Sequence, residues 1–396
     1  MNEVVIVAAE AVSALGNSRS ETWQRLIAGK SAAAPISSFD TTPYYCKIGA
    51  EIKDIAVEGM DSSRLNRLLQ KLFKLLPSTL PESCSLIGST LKGALDQQEN
   101  IWRNPTAIET NNLPVKIAQP RASATAELVA EHFALNHPGL IINAACASST
   151  VALSRAASRI AAGFDECILV WAAEIVSEFV FAGFASLKAL TPDSCRPFDQ
   201  NRNGLILGEG AAALLLMSAG RAKKEGLKPI AKICGWGVAN DAVHLTAPAA
   251  DGRGLLKACH RALNRAGLRP DEIAAINAHG TATIHNDQME ISAFTKLFGA
   301  QTKRKKIPMH SVKGALGHTL GAAGALETTI AIDALNEQCL PPTIGLIKPE
   351  IAVCEQIAPT IKPFSGNHIL LSNSGFGGVN AVLILGSPDS GSGLRT

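Results

Sequence analysis

Three residues stand in settings where a side chain can meet a substrate. Cys146 lies in Ile141-Ile142-Asn143-Ala144-Ala145-Cys146-Ala147-Ser148-Ser149-Thr150. Its small neighbours leave room for an electrophile to approach the sulfur, and a thiolate is a strong nucleophile. His279 lies in Asn277-Ala278-His279-Gly280-Thr281-Ala282-Thr283, and His318 in the glycine-rich run from Lys313 to Gly324. Glycine lets the backbone come close to a ligand and accepts positive φ. A further glycine loop, Ser372-Asn373-Ser374-Gly375-Phe376-Gly377-Gly378-Val379-Asn380, offers N–H groups to an oxyanion. Each feature has a plainer reading. A free cysteine is usually packed in a core, a lone histidine is more often structural, and most glycine-rich turns are only turns. The other histidines, at 132, 137, 244, 260, 285, 310 and 368, lack such settings.

Positioning these residues requires strands and helices. Residues 139–145 read as a short buried strand and 150–162 as an alanine-rich helix closed by Gly163. Cys146 then falls at the junction, where unpaired N–H groups and the positive helix end favour a thiolate. Val4 to Ala8, Cys84 to Ser89, Cys167 to Ala173 and Ala211 to Met217 read as strands, the last two as fully buried ones. Helices are expected over Thr22 to Ala28, over Ala124 to Phe133 capped by Ser123, and after a cap at Asp61-Ser62-Ser63. The last carries Leu65, Leu68, Leu69, Leu72 and Phe73 at helical spacing. Strands alternating with helices predict an α/β fold.

The chain also repeats itself. Asn143-Ala144-Ala145-Cys146 resembles Asn277-Ala278-His279, Gly208-Glu209-Gly210 resembles Gly377-Gly378, and Val4 to Ala8 has a counterpart in Ile230 to Val238. A unit this long predicts two similar α/β halves, residues 1–222 carrying the cysteine and 223–396 carrying the histidines.

Composition narrows the class. Of 396 residues, 46% are hydrophobic and 18% charged, so a large core is expected. A net charge of +3 gives no case for nucleic acid as a partner. Nine cysteines without a C-x-x-C pair argue against a disulfide framework or zinc site and fit a reducing compartment. With no signal peptide and no apolar run long enough to span a membrane, a cytoplasmic protein is expected.

In order along the chain, Ala145-Cys146-Ala147-Ser148-Ser149, Arg196-Pro197-Phe198-Asp199 with Gly208-Glu209-Gly210, Asn277-Ala278-His279-Gly280-Thr281, Lys313 to Gly324 and Phe376-Gly377-Gly378 resemble the motifs of the β-ketoacyl-acyl-carrier-protein synthases, in particular the elongating Cys-His-His group of the thiolase superfamily. The resemblance covers nearly the full length. It implies a thiolase-like fold, two α/β halves layered α-β-α-β-α, and a decarboxylative Claisen condensation in fatty acid, polyketide or polyene synthesis. Cys146 would take an acyl chain from a phosphopantetheine thioester. His279 and His318 would stabilise the enolate formed when a malonyl thioester loses carbon dioxide. Lys313 and Glu327 would support them. The N–H groups of Cys146 and Phe376 match an oxyanion hole, Thr281 and Thr283 a pantetheine contact, and the Phe376 side chain a gate over the acyl pocket. No cofactor or dedicated metal centre is expected; in relatives Asn277 and Glu327 help form a small cation site, which carries over weakly.

The resemblance also implies an acidic carrier protein as partner and a homodimer or a heterodimer with a related subunit. Arg64, Arg67 and Lys71, at helical spacing, are the first choice for carrier docking. Lys303 to Lys306 form a tighter basic run that reads equally well as a solvated loop. A thiolase would need a second cysteine in the last glycine loop, which has none. A silent chain-length-factor-like subunit would lack the catalytic cysteine. Ile284-His285-Asn286 departs from the family pattern before Asp287, the last glycine loop lacks one aromatic residue before Gly375, and the region from Gly59 to Ala122 is short. These departures point to a specialised synthase.

Overall fold

The computed structural model describes residues 1–55, 63–81, 83–103, 121–299, 306–353 and 355–389. Its centre is a ten-stranded sheet. In chain order the strands are β1 (Val4–Ser13), β2 (Ser85–Ser89), β3 (Leu140–Ile141), β4 (Cys167–Glu174), β5 (Gly210–Ser218), β6 (Ala231–Asn240), β7 (Ala275–Asn277), β8 (Met309–His310), β9 (His368–Gly375) and β10 (Val379–Gly386). From the middle outward one side reads β1-β5-β4-β2-β3 and the other β6-β10-β9-β7-β8. Each strand has its counterpart five places later. Parallel and antiparallel pairings match as well: β2 is parallel to β3 and β4, as β7 is to β8 and β9. The two sides join through only two residue pairs, Val5 with Lys232 and Ile6 with Ala231.

Strand alternation sorts the core into layers. On β4, Ile168, Val170 and Ala172 face one cluster, and Cys167, Leu169, Trp171 and Ala173 face another. On β10, Leu383 and Leu385 share the first cluster, while Val382 and Ile384 enter a third. The shared cluster holds helices α3 (Ser148–Ala161) and α7 (Ala323–Glu337), which touch strands of both sides. Outside lie α1 (Arg64–Phe73) and α2 (Ala122–His132) on one face, and α5 (Arg253–Ala266) and α6 (Ile284–Phe298) on the other. The layers are therefore α-β-α-β-α, as expected. The central helices approach closely because Gly324 lies against Thr150; a Cβ there would meet Thr150 Oγ1.

Some local expectations change. The strand before Cys146 is two residues long, since Gly139 takes positive φ and packs onto the Leu86 backbone. The helix after Cys146 begins at Ser148, not Thr150. The helix of residues 122–132 is preceded by Arg121 without a side-chain cap, so Ser123 lies inside it. Ser63 does cap α1, its side chain accepting from the Asn66 N–H. Asp61, Ser62, Lys303, Arg304, Lys305 and much of 59–122 lie outside the described residues. The repeat is also shifted from its sequence reading: the counterpart of β3, which leads to Cys146, is β8, which leads to Lys313 and His318, whereas His279 follows β7, the counterpart of β2. Short Asn-Ala strings matched each other while the strand order does not.

Candidate active site

The Cys146 turn is built by its neighbours. Ala145 sits in the left-handed region at φ 50°. Ser148 holds the turn from within the helix: its hydroxyl accepts from Ala144 N–H at 2.8 Å and donates to the Ala145 carbonyl at 2.5 Å. The last glycine loop closes over this turn. A Cβ on Gly375 would stand 2.9 Å from the Ala144 oxygen and 3.1 Å from the Cys146 nitrogen, so only glycine allows the approach. That places the N–H groups of Cys146 and Phe376 both against the sulfur.

Cys146 is nearly sealed from solvent, and this changes its expected state. Burial pushes the thiol up to about 12; the Lys313 charge pulls it down, Glu174 pushes it further up, and the two N–H groups pull it down. The helix end favours a thiolate and burial opposes it; desolvation is the largest influence on the thiol, and the cation that opposes it is already engaged.

That cation is Lys313, on a single helical turn after β8. Its Nζ lies 2.5 Å from Glu327 Oε1 on α7, with both side chains buried. Glu327 Oε2 accepts from Asn373 Nδ2 at 2.7 Å. The same amide nitrogen stands 3.3 Å from His279 Nδ1, and Asn373 Oδ1 receives the Thr150 hydroxyl. An amide nitrogen can only donate, so His279 Nδ1 is an acceptor and the ring proton sits on Nε2. His318 reaches the same state differently: its Nδ1 accepts from Leu320 N–H at 3.2 Å. Burial and the Lys313 charge hold both imidazoles well below the usual range, His318 adding to the effect on His279. Two neutral rings thus carry their protons on Nε2.

Cys146, His279 and His318 line one cavity of about 470 Å³. Thr281 and Thr283 line it too, their hydroxyls 2.8 Å apart. Phe376 stands at its side, 37% exposed and stacked on Phe184 of α4 (Glu178–Ser186), ring centroids 5.6 Å apart. Ile284 and His285, part of the departure before Asp287, line the cavity and are exposed. A larger cleft of about 1600 Å³ beside Ile273 and Phe294 touches none of the three reactive side chains.

The docking choice is corrected in part. Arg64 is mostly buried and engaged inward: its guanidinium pairs with the buried Glu209 at 2.7 Å and donates to the Ile52 and Ile55 carbonyls. Arg67 is exposed, and Lys71 is half-buried, 3.8 Å from Asp54. Asn277 lies beside Glu327, and its two buried amide atoms lack a completed hydrogen bond among the described residues.

Sequence reasoning missed four supporting residues. Glu290 on α6 accepts from the His279 and Gly280 N–H groups, each at 2.7 Å, and from Asn286 and Ser372. Its spacing from Asn286 on one helix face was the available signal. Glu174 at the end of β4 accepts from Leu91 N–H at 2.6 Å and packs on Gly321, in the turn after His318. Asn373 and Phe184 carried no motif of their own.

The sequence matches two family descriptions, "Beta-ketoacyl synthase, N-terminal domain" over residues 76–222 and "Beta-ketoacyl synthase, C-terminal domain" over 230–346. It is 32% identical to 3-oxoacyl-[acyl-carrier-protein] synthase 2 of Coxiella burnetii, across 96% of this chain and 98% of that one. Among solved structures, a chain of the ishigamide ketosynthase/chain length factor superposes with a TM-score of 0.87 at 29% identity, covering 98% of this chain and 99% of that one. A chain of the ketosynthase ApeO in complex with its chain length factor ApeC, from Xenorhabdus doucetiae, gives 0.84 at 28%, covering 98% of each. With its thiolase-like layers and matched domains, the chain belongs to the β-ketoacyl synthase family.

Proposed function

We propose that Cys146 is the nucleophile of a decarboxylative condensation between an acyl thioester and a malonyl thioester, both carried on an acyl carrier protein. The observation that carries this reading is the convergence of one thiol and two neutral Nε2–H donors on a single cavity. In the first step the thiol attacks the acyl carbonyl, and the N–H groups of Cys146 and Phe376 receive the oxyanion. As the carbonyl re-forms, the bond to the carrier's phosphopantetheine sulfur breaks and that sulfur takes the Cys146 proton, so the carrier leaves as its thiol. In the second step the malonyl thioester loses carbon dioxide, and negative charge grows on its carbonyl oxygen. His279 and His318 donate to that oxygen. The carbanion then attacks the acyl-enzyme, and the β-ketoacyl product leaves on the carrier. Neutral donors suit this work, since neither surrenders a proton and quenches the carbanion. Lys313 and Glu327 neutralise each other and fix Asn373, which fixes His279.

Thr281 and Thr283 hold the pantetheine arm, and Phe376 with Phe184 gates the acyl pocket. Arg67 and Lys71 receive the acidic carrier; Arg64 holds Glu209 instead. The chain is read as two related halves, 1–222 and 223–396, on the strength of the mirrored strand order. The chain length factors named with the ishigamide and ApeO ketosynthases favour a related subunit as partner and a specialised polyketide or polyene pathway. No described helix is long and apolar enough to cross a membrane, and a cytoplasmic location is the reading that goes with eight free cysteines among the described residues.

A silent, factor-like subunit is the second reading, favoured only by those neighbours' names. Intact-protein mass spectrometry after mixing with acyl-carrier thioesters separates the two. An acyl adduct on the wild type and none on Cys146→Ala supports the synthase. No adduct from any donor, alone or with candidate partner subunits, would overturn it.

A further inference from the structure

Far from the active centre, Cys84 and Cys167 stand at the entrances of neighbouring parallel strands. β2 and β4 pair with Ser85 opposite Ile168, which brings the preceding residues, Cys84 and Cys167, side by side. Adjacent strands lie about 4.7–4.9 Å apart, inside the Cα separation of about 4.4–6.8 Å that a disulfide spans. Both side chains enter the same outer core cluster, so they point the same way. The Cys84 thiol donates to the carbonyl of Ser85 at 3.5 Å. Cys167 is fully sealed, whereas Cys84 retains 7% exposure. A shallow surface cleft lined by Pro81, Ser83, Arg221 and Glu225 opens next to it in the chain. The neighbouring Cys167 draws the Cys84 thiol below the usual range against its burial, with smaller pulls from the Leu169 backbone and Arg221.

We propose that Cys84 and Cys167 form an oxidisable dithiol that closes to a disulfide when a hydroperoxide reaches the exposed edge of Cys84. The Cys84 sulfur attacks the peroxide oxygen: an S–O bond forms, the O–O bond breaks, and with hydrogen peroxide one water leaves. The Cys167 sulfur then attacks the Cys84 sulfur: an S–S bond forms, the S–O bond breaks, and a second water leaves with the Cys167 proton. Two thiols lose two electrons and two protons, and the peroxide is reduced to two waters. Cys84 reacts first because it alone has solvent access.

The bond would staple β2 to β4 at the end away from catalysis. The other ends of these strands, Ser89 and Glu174, support the active-site turns. Closure therefore leaves Cys146 open to its substrate and resists separation of the strands.

The test is peptide mapping of the reduced wild-type protein before and after mild hydrogen peroxide, without further reduction. The expected result is a protein lighter by two hydrogens, with the Cys84 and Cys167 peptides joined, a higher Tm, and unchanged acyl loading of Cys146. Cys84→Ser and Cys167→Ala should each lose the joined peptide. Thiols left unmodified, or oxygen atoms added at Cys84 with no joined peptide, would overturn the proposal, and the wild-type map decides this even if either variant folds poorly. Loss of acyl loading on closure would overturn the claim that the staple spares the site.

Discussion

The imidazole rings of His279 and His318 stand almost at right angles, 82° apart, with their centroids separated by 5.2 Å. Each has its Nδ1 occupied as an acceptor, by Asn373 in one case and by the Leu320 N–H in the other. Two donors of one kind are thus delivered by two independent supports. Removing either ring should cost decarboxylation and spare the first acyl transfer. We expect His279→Ala and His318→Ala each to lower carbon dioxide release by about 10²–10³-fold, while both still show the acyl adduct by mass spectrometry. Equal loss of adduct and carbon dioxide would assign the rings to nucleophile activation instead.

Asn373 sets the tautomer of His279. In Asn373→Asp the side chain can no longer donate, so the His279 proton moves to Nδ1 and a second negative charge faces Glu327. We expect kcat to fall by at least about 10²-fold with little change in KM, and Asn373→Ser, which keeps a donor, to recover part of the loss. Steady-state kinetics on all three proteins checks this.

The Cys146 thiol, raised to about 12 by burial, should alkylate slowly at neutral pH. Its rate constant with iodoacetamide should climb about tenfold per pH unit through pH 7–10, because the thiolate is a minor species throughout. A plateau near neutral pH would show a resting thiolate.

Arg64 and Arg67 share a helix and should fail in different ways. Arg64→Ala strands the buried Glu209 carboxylate and should cost about 3–5 kcal/mol of stability, read in a denaturant titration. Arg67→Glu with Lys71→Glu should leave stability nearly unchanged. It should raise KM for the carrier-bound substrate and spare a small thioester mimic; an equal effect on both substrates would remove the docking assignment.

Burial raises the Glu174 carboxyl to about 8, above its value in the unfolded chain. Its contribution to stability is therefore full below the unfolded value, near 4.5, and is lost as pH rises through about 8. Glu174→Gln should be more stable relative to wild type at pH 8 than at pH 5, by a few degrees in Tm. Parallel melting curves that keep one offset at both pH values would show that the carboxyl does not titrate in this range.

The sequence was informative wherever the local chemistry was distinctive. Cys146 between small residues, His279 and His318 among glycines, and the buried runs of β4 and β5 all announced themselves by type and spacing. What stayed hidden depends on approach between distant segments. Nothing local to Arg64 says that Glu209, 145 positions away, will neutralise it. Asn373 looks like one residue of a glycine loop until β9 brings it beside Glu327. The true partner of the Cys146 turn was missed because sheet position, not short-string likeness, relates the two sides. The desolvation of the Cys146 thiol is hidden for a related reason: a helix end is visible in a sequence and burial is not.

The order in which the site is completed follows from where its parts fall along the chain. Cys146 and its turn lie between β3 and α3, whereas Asn373, Gly375 and Phe376 belong to β9 and the turn into β10, more than two hundred residues later in the chain. A nascent chain on the ribosome therefore displays the thiol long before it holds either the oxyanion N–H of Phe376 or an oriented His279. Until β9 and β10 pair into the sheet, the Cys146 turn lacks both of these supports.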